Sequence, residues 1–476
     1  MSSIYFIGIG GTAMASVAVA LSHMGHAITG SDTQLYPPMS TYLESHNIRY
    51  FNGFTEKNLE GTAPDLVVVG NAISRGNPDL EYALDNRLEL ISMPDLVRRE
   101  LIGHHTSIVV AGTHGKTTTT SITAWLLEAG GLKPGFLIGG IPENFGEGCR
   151  PSALTEPGFF VTEGDEYDSA FFDKRSKFLL YRPDIAIVNN VEFDHADIFS
   201  SLDDIKRSFR LLVNLVPKNG LLLVNSDDPD SLDVSSKALC RIERFGLNTD
   251  ADWTATDITT GPSATSFTIV RGGKPEGRVS VPLFGNYNVM NVLAATAAAM
   301  HSGVSFDSIV RGLGSFKRPK RRMELVGDFP GGITVMEDFA HHPTAIRLTL
   351  GAIAGLYPGR RIIACFEPRS NTTSRNIFQR ELSECFDDAS VVVFGKVNRP
   401  ERYAPEERLD TALLASQLES RGKTVFTGGA GEREYPGDIV DFVNASLQPG
   451  DIVVLLSNGS FSNLKELLSE SFQKNS

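Results

Sequence analysis

The sequence has few cysteines, and none of them stands in a pattern typical of a metal site. The four cysteines, Cys149, Cys240, Cys365 and Cys385, lie far apart and form no Cys-x-x-Cys pair. Structural zinc sites and small disulfide-stabilised domains both need closely spaced cysteines. The sequence therefore predicts neither of these classes, and reduced thiols in a cytoplasmic protein are expected.

An excess of positive charge is also absent. The chain carries 44 lysines and arginines against 57 acids, for a formal net charge of -13. Nonspecific binding to nucleic acid needs a positive field that displaces counterions from the phosphates. We therefore expect no nucleic-acid partner, and we expect any anionic ligand to be held by local donors.

No hydrophobic run reaches the roughly 18 residues that a membrane-spanning helix needs. The stretch 4–21 has no charged residue, and its residues 18–20 (Ala-Val-Ala) resemble a signal-peptidase site. However, no basic residue precedes this stretch, and Gly8, Gly10 and Gly11 interrupt it. A signal peptide has a basic start and an unbroken apolar core, so we expect a cytoplasmic protein without membrane insertion.

A glycine-rich turn follows the first predicted strand. Residues 4–7 predict a buried strand, 8–13 (GIGGTA) a turn and 14–24 a helix, and Asp32 ends a second strand at 28–32. This is the G-x-G-x-x-A pattern, whose glycines let a diphosphate approach the N-terminus of a helix. The pattern predicts a Rossmann-like domain for a dinucleotide or a nucleotide sugar, with an ordinary tight turn as the alternative.

A second glycine-rich loop has the features of a phosphate-binding loop. Residues 112–117 (GTHGKT) lie between a predicted strand at 107–111 and a helix. In such loops backbone N–H groups hold phosphates, the lysine reaches the β and γ oxygens, and a hydroxyl binds magnesium. Val110 stands where the strict G-x-x-x-x-G-K-[ST] pattern has glycine, so the shorter G-T-x-G-K-T form applies. Lys116 and Thr117 are candidates for ATP and Mg²⁺ binding.

Acidic residues and a histidine follow two further predicted strands. The strand 159–162 leads into 163–168 (EGDEYD), and the strand 185–188 leads into 189–195 (NNVEFDH). Ligands bind at the carboxyl ends of parallel strands in α/β sheets, and Mg²⁺ prefers oxygen ligands. These acids could hold Mg²⁺, and His195 is a less usual partner for it. A solvated loop and a structural histidine are the alternatives.

Five motifs occur in order along the chain: GTHGKTTT at 112–119, EGDEYD at 163–168, EFDH at 192–195, GNYNVMN at 285–291 and EDFAHHP at 337–343. In this order they resemble the motifs of the Mur ligases, and the resemblance covers nearly the whole chain. Members of this family build peptidoglycan precursors from a UDP-sugar carboxylate, ATP and an amino acid or peptide. The resemblance implies an ATP-dependent ligase that activates the carboxylate as an acyl phosphate.

Three α/β domains are predicted. Further strands at 333–336, 362–366, 391–394 and 452–456 alternate with helical stretches, which indicates another parallel sheet near the C-terminus. The predicted domains are a Rossmann-like UDP-sugar-binding domain at 1–105, a central ATP-binding domain of the P-loop ATPase type with a mostly parallel sheet at 106–322, and a Rossmann-like amino-acid- or peptide-binding domain at 323–476.

Within the family, the sequence resembles the branch that uses UDP-N-acetylmuramate. The N-terminal glycine turn and HHP at 341–343 carry this likeness. Segments 164–178, 190–199, 366–370 and 456–459 are more similar to members that add the peptide L-alanyl-γ-D-glutamyl-meso-diaminopimelate. We therefore expect UDP-N-acetylmuramate and a peptide as substrates. A ligase that adds L-alanine is the alternative, and a monomer or weak homo-oligomer is expected.

The resemblance also implies roles for individual residues. Those expected to be catalytic are Lys116, Glu163, His195 and Arg322. Those expected to bind ATP are Gly112, Thr113, His114, Gly115, Lys116, Thr117, Thr118, Asn288, Asn291, Arg322 and Asp338. Those expected to bind the UDP-sugar are Gly8, Gly10, Gly11, Thr12, Ser31 and Asp32. Those expected to hold Mg²⁺ are Thr117, Glu163 and His195.

Two loops that follow predicted strands are candidates for the peptide carboxylate. They contain Arg369, Ser370, Asn371, Ser457 and Asn458, and simple capped turns are the alternative for both.

Three other functions are alternatives to a Mur ligase. A dehydrogenase would leave the phosphate-binding loop unused, a noncatalytic nucleotide-binding protein would release no phosphate, and a folate polyglutamate ligase lacks a UDP-sugar domain.

Overall fold

In the part of the chain that the structure describes, the strands form three β-sheets of five, ten and six strands and a separate two-stranded hairpin. The computed structural model describes residues 1–33, 35, 39–152, 157–248, 250–429 and 431–474. The predicted α/β class with mostly parallel sheets is confirmed. The domain boundaries at 105/106 and 322/323 stay a prediction.

The first sheet is parallel throughout, with strand order β3-β2-β1-β4-β5. Parallel strands need helical crossovers that cover both faces, and β4 is accordingly buried along its whole length. The strands are β1 (Ser3–Ile7), β2 (Ala27–Asp32), β3 (Arg49–Asn52), β4 (Leu66–Val69) and β5 (Leu90–Ser92). The helices are α1 (Thr12–His23), α2 (Met39–Ser45), α3 (Glu56–Glu60), α4 (Pro78–Asp85) and α5 (Met93–Leu96), which continues into a π-helical segment at Val97–Ile102.

The second sheet has the order β17-β16-β15-β14-β13-β12-β6-β9-β7-β8. Its parallel centre places the carboxyl ends of β6, β9 and β12 side by side. The strands are β6 (Thr106–Ala111), β7 (Gly135–Leu137), β8 (Cys149–Arg150), β9 (Phe159–Gly164), β12 (Ile185–Val188), β13 (Leu221–Asn225), β14 (Arg241–Phe245), β15 (Trp253–Thr260), β16 (Thr265–Arg271) and β17 (Lys274–Val281). The separate hairpin comprises β10 (Asp168–Ala170) and β11 (Asp173–Ser176). The helices are α6 (Lys116–Ala129), α7 (Leu202–Leu215), α8 (Pro229–Ser235), α9 (Asn286–His301) and α10 (Phe306–Gly314).

The third sheet has the order β18-β19-β23-β20-β21-β22, and only its β18–β19 pair is antiparallel. All four strands predicted for this region are confirmed. The strands are β18 (Glu324–Phe329), β19 (Ile333–Asp338), β20 (Ile362–Phe366), β21 (Val391–Phe394), β22 (Thr424–Thr427) and β23 (Ile452–Leu456). The helices are α11 (Pro343–Leu356), α12 (Gln379–Glu384), α13 (Thr411–Ser420), α14 (Gly437–Ser446) and α15 (Leu464–Lys474).

A buried carboxylate ties α4 to the first sheet. Asp79 is 0% exposed and accepts hydrogen bonds from the hydroxyls of Tyr5 at 2.9 Å and Ser31 at 2.5 Å. It also accepts from the backbone N–H of Thr55 at 2.6 Å and from the Asn58 amide at 3.3 Å. Because a buried charge is tolerated only when donors surround it, these four groups hold two strands and α3 in register with α4.

Removal of this carboxylate should loosen the first sheet. Asp79→Ala would leave several buried donors without an acceptor, and we expect it to lower the free energy of unfolding by about 3 kcal/mol. Hydrogen exchange of the β1 amides would measure the change. The control is Asp85→Ala, because Asp85 is exposed on the same helix, and its effect should stay within about 0.5 kcal/mol. Equal protection in both variants would contradict the prediction.

Candidate active site

A cavity of about 1140 Å³ lies where loops from all three sheets meet. Thr12 and Met93 line it from the first sheet's side, Lys116 from the central domain, and Asp338 and Arg369 from the third sheet. Ligand sites in α/β proteins lie at the carboxyl ends of the strands, which is where these residues stand. The cavity is therefore the candidate site.

The phosphate-binding loop can only be built with glycine at two positions. Gly115, the N-cap of α6, has φ 79°, and a Cβ there would lie 2.8 Å from Asn291 Oδ1. Gly112 has φ 145°, and a Cβ there would meet the Asn189 side chain at 2.9 Å. No side chain caps α6, so the N–H groups of its first turn are left to face an anion.

Lys116 is the first residue of α6 and is held at the cavity by two acceptors. Its ammonium donates to the Gly112 carbonyl at 2.7 Å and to Glu166 Oε2 at 2.8 Å. Burial acts to lower the pKa of Lys116, but the carboxylates of Glu166 and Asp165 outweigh burial and raise it above 10.5. The group therefore stays positively charged at neutral pH, as a phosphate ligand requires.

Thr117, Glu163 and Arg322 form a chain of contacts beside this lysine. The Thr117 hydroxyl donates to Glu163 Oε2 at 3.2 Å and accepts from the Arg322 guanidinium at 3.2 Å. Glu163, at the end of β9, also accepts the Gly139 N–H at 2.6 Å. Burial raises the pKa of Glu163, against the opposing effects of the Gly139 N–H, Lys116 and Arg322. A hydroxyl and a carboxylate are hard oxygen donors, so this pair fits Mg²⁺.

His195 is joined to the phosphate-binding loop through Glu166. Its Nε2 lies 3.0 Å from Glu166 Oε1, and ligand atoms of Asp165, Glu166 and His195 all lie within 4.8 Å of one another. Burial lowers the pKa of His195, but Glu166 and other nearby acids raise it to about 9. Of the three residues predicted to hold Mg²⁺, the structure connects Thr117 to Glu163 directly, whereas His195 contacts Glu166.

Glu166 was not among the predicted site residues. It is 2% exposed and contacts both Lys116 and His195. The only available signal was its place in the EGDEYD motif. The four acids in that motif are so close in sequence that residue type alone could not separate their roles.

The two asparagines predicted at the adenine lie in a buried amide network. The Asn291 amide donates to Asn288 Oδ1 at 3.0 Å, and Asn291 Oδ1 accepts the Thr119 hydroxyl at 3.0 Å. Thr119 in turn accepts from the Asn189 amide at 3.0 Å. The network fixes α9 against α6.

Asp338, at the end of β19, also lines the cavity. Its carboxylate accepts two backbone N–H groups, each at 2.7 Å.

Four buried polar atoms in the cavity wall have no hydrogen-bond partner within the described residues. They are His114 Nε2, Asn189 Oδ1, Asn458 Oδ1 and Arg321 Nε, of which Arg321 Nε lies in an ion pair 2.7 Å from Glu337. Buried polar groups are almost always satisfied in folded proteins. Their position indicates that a polar ligand completes this wall, and a nucleotide with its phosphates and base offers donors and acceptors of both kinds.

The predicted UDP-sugar and peptide residues differ in what their side chains contact. Of the six predicted UDP-sugar residues, Thr12 lines the cavity, whereas Asp32 accepts the Gly10 N–H at 2.8 Å and so stabilises the glycine turn. The Ser31 hydroxyl donates to Asp79 inside the first domain, and the buried Ser457 hydroxyl donates to Glu367 at 2.5 Å. The binding roles of Ser31 and Ser457 stay predictions.

The remaining predicted peptide-binding residues gather at one end of the cavity. Arg369, Ser370, Asn371 and Asn458 all line it. The Arg369 guanidinium contacts Glu367 at 3.4 Å, and it packs so closely on the loop after β23 that a Cβ at Gly459 would overlap it. Asn398 and Arg399, which the sequence motifs did not single out, line the same end. Both follow β21 in a loop with no recognisable motif.

The half-buried His114 and the buried His342 connect the phosphate-binding loop to α11. The rings of His114 and His342 lie 4.5 Å apart, and His342 caps α11 by accepting the Thr344 N–H at 3.2 Å. Burial lowers the pKa of His342 to about 4 and the pKa of His114 well below 6.5. Both rings are therefore neutral near pH 7.

A phosphate-binding loop, buried acids at neighbouring strand ends and a cavity shared by three α/β domains together define a nucleotide-dependent enzyme. Family models match in the same three parts of the chain: the Mur ligase family catalytic domain at 3–104, the Mur ligase middle domain at 110–299, and the Mur ligase, glutamate ligase domain at 321–459. The chain belongs to the Mur ligase family, and it is an ATP-dependent ligase that forms a carbon–nitrogen bond.

Individual relatives match over nearly their full length. The UDP-N-acetylmuramate--L-alanyl-gamma-D-glutamyl-meso-2,6-diaminoheptandioate ligase of Haemophilus influenzae is 40% identical over 467 residues, 98% of each chain. The UDP-N-acetylmuramate--L-alanine ligase of Geobacter sp. (strain M21) is 33% identical over 457 residues, 96% of this chain and 95% of its own. The crystal structure of a murein peptide ligase from Psychrobacter arcticus has a TM-score of 0.74 and 35% identity, and the match covers 99% of both chains.

None of the helices in the described residues combines the length and the hydrophobicity that a membrane span needs.

Acidification should destabilise the protein through His342. Its folded-state pKa of about 4 lies below the ordinary 6.5, so between these values the unfolded chain binds a proton that the folded chain does not. This contribution to stability is intact above pH 6.5 and is lost as the pH falls toward 4, by about 2 kcal/mol at pH 5. We expect His342→Asn, which keeps a capping acceptor, to lose less stability between about pH 7 and pH 5 than the unaltered protein.

Urea unfolding at the two pH values would measure this difference. His104→Asn is the control, because His104 is exposed, and it should behave like the unaltered protein. A pH dependence of stability that is the same in all three proteins would contradict the assignment.

Proposed function

We propose that the chain joins the lactyl carboxylate of UDP-N-acetylmuramate to the amine of L-alanyl-γ-D-glutamyl-meso-diaminopimelate, in the recycling of peptidoglycan in the cytoplasm. The observation that carries the proposal is the full-length likeness to the Haemophilus influenzae ligase, whose name states this pair of substrates. The relative that adds L-alanine is less similar. The cavity supports the proposal because three domains contribute to it, as two substrates and a nucleotide require.

The residues around the phosphate-binding loop suit phosphoryl transfer. The Lys116 ammonium and the Arg322 guanidinium flank Thr117, where they would neutralise charge on the transferred phosphoryl group. We propose that Thr117, Glu163 and His195 hold Mg²⁺, which would act as a Lewis acid and stabilise negative charge on the phosphate groups. Glu166 would keep both Lys116 and His195 in place.

The reaction then proceeds in two steps. The sugar carboxylate attacks the γ-phosphorus of ATP, so that an acyl phosphate and ADP form. The peptide amine attacks the acyl carbon and forms the C–N bond, and the nitrogen loses a proton to solvent. The tetrahedral intermediate then collapses by breaking its C–O bond to phosphate, which leaves. Each step brings together groups from different domains, so positioning supplies much of the rate enhancement.

The acceptor would bind at the end of the cavity formed by the third sheet. Arg369 and Asn458 stand there at loops that follow β20 and β23. A guanidinium is a bidentate partner for a carboxylate, and the peptide carries several carboxylates. We propose that Arg369 contacts one of them, and that Ser370, Asn371 and Asn458 surround it.

The direct test is ATP-dependent phosphate release with UDP-N-acetylmuramate and either the tripeptide or L-alanine. Turnover with the tripeptide and little with L-alanine is expected. The reverse preference would make the chain an L-alanine-adding ligase. Absence of turnover with both acceptors would refute the substrate assignment while leaving the family membership unaffected.

Arg369→Ala should weaken binding of the tripeptide. Loss of one charge-assisted contact is expected to raise KM for the tripeptide about tenfold, with KM for UDP-N-acetylmuramate unchanged. Steady-state kinetics would measure both constants. Arg380→Ala is the control, because Arg380 is 84% exposed in a surface pair with Glu384. An unchanged KM for the tripeptide in Arg369→Ala would remove Arg369 from the acceptor site.

A further inference from the structure

One side chain of the third domain contacts the residues on both sides of His195. Thr372 is 1% exposed, and its hydroxyl donates to Asp194 Oδ1 at 2.7 Å. The same hydroxyl accepts the N–H of Ala196 at 3.3 Å. A threonine hydroxyl has one proton to donate and lone pairs to accept, so this single group contacts the residue before His195 and the residue after it.

Neighbouring contacts strengthen this attachment. The Asn371 amide donates to Asp197 at 2.9 Å, and the Arg375 guanidinium donates to the Ala196 carbonyl at 3.2 Å. Segment 371–375, which follows β20, thus holds segment 194–197 at four points. Two segments far apart in the chain are joined here across the boundary between the central and third domains.

The backbone at His195 needs such support. His195 has φ 55°, a left-handed conformation that costs a residue with a side chain about 1 kcal/mol or more. No regular element holds it locally, because β12 ends at Val188 and α7 begins at Leu202. Within the loop, the His195 carbonyl accepts the N–H groups of Ile198 and Phe199. Contacts from outside the loop, two of them made by Thr372, add to these and hold the segment from which the imidazole faces Glu166.

A role limited to packing is the alternative, and the chain offers a comparison for it. Thr373 is also 1% exposed, but its hydroxyl contacts Ser370 at 2.8 Å within its own loop. If burial of a hydroxyl were the whole function, loss of either hydroxyl would have the same consequence. If the contact with the His195 segment matters, the two threonines differ.

We propose that Thr372 is a positioning residue that makes the orientation of His195, and with it the binding of a divalent cation, depend on the docking of the third domain. The inference rests on the proposed role of His195 as a metal ligand. In this arrangement, His195 has the orientation that metal binding requires only when segment 371–375 contacts segment 194–197. Ligands that draw the third domain inward would complete the metal site as they bind.

The first experiment measures Mn²⁺ binding by electron paramagnetic resonance in the presence of a nonhydrolysable ATP analogue. Thr372→Val keeps the shape but lacks the hydroxyl, and we expect Mn²⁺ to bind about tenfold more weakly, the effect of one hydrogen bond to a charged group. Thr372→Ser restores the hydroxyl and should bind within about threefold of the unaltered protein. Thr373→Val should bind Mn²⁺ normally. Equal loss in Thr372→Val and Thr373→Val, or no recovery in Thr372→Ser, would overturn the proposal.

A double-mutant cycle tests whether Thr372 acts through His195. His195→Asn alone should weaken Mn²⁺ binding, and Thr372→Val should add little in that background, because the group it positions is gone. Full additivity, or unchanged Mn²⁺ binding in His195→Asn, would refute the mechanism. Thermal unfolding of each variant shows whether it is folded. If Thr372→Val fails to fold, Thr372→Ala replaces it in the cycle.

These measurements need no acceptor, so they separate the inference from the proposed substrates. If the two substitutions have the expected non-additive effect on Mn²⁺ binding but no phosphate is released with either acceptor, only the substrate assignment is refuted. Phosphate release with the tripeptide together with unchanged Mn²⁺ binding in Thr372→Val would refute the positioning role alone.

Discussion

Glu166 is the buried charge on which the arrangement of the cavity depends. It is 2% exposed, and its two oxygens contact the Lys116 ammonium at 2.8 Å and His195 Nε2 at 3.0 Å. A carboxylate removed from water is stable only when cations and donors replace the lost hydration. The start of α6, the loop after β9 and the loop after β12 must therefore converge on this one side chain, and the adjacency of β6, β9 and β12 in the central sheet makes that possible.

Contacts between the second and third domains also hold the loops around Glu166 in place. His342 contacts His114 of the phosphate-binding loop, and Thr372 and Asn371 hold the segment that carries His195. Apolar contacts accompany these polar ones, because Phe193 packs against Phe378 and Phe284 joins the core cluster of the third domain. Hydrogen bonds between domains contribute about 1 kcal/mol each. An interface of this kind can separate and re-form at modest cost, which suits an enzyme that must admit a nucleotide and two substrates.

Much of the fold followed from local patterns, because apolar runs bounded by glycine or proline are short-range signals. Four strands of the third sheet and the strand before the phosphate-binding loop are examples. The antiparallel extension β15, β16 and β17 was not predicted, since strands with exposed positions at the edge of a sheet lack a continuous apolar run. In the cavity, glycine spacing identified the phosphate-binding loop. Residue type could not separate Glu166 from its neighbours, or recognise Arg399 in a loop without a motif.

The sequence by itself determined the class of each domain, the phosphate-binding loop and the family, because these depend on residue spacing over a few positions. The tertiary structure alone decided how the polar groups are paired. The hydroxyls of Ser31 and Ser457, both candidate ligand residues in the sequence, donate to the buried acids Asp79 and Glu367. Thr372 and Asp194 are 178 residues apart and meet only after the domains dock. A hydrogen bond of that kind depends on packing between distant segments, and no local pattern encodes it.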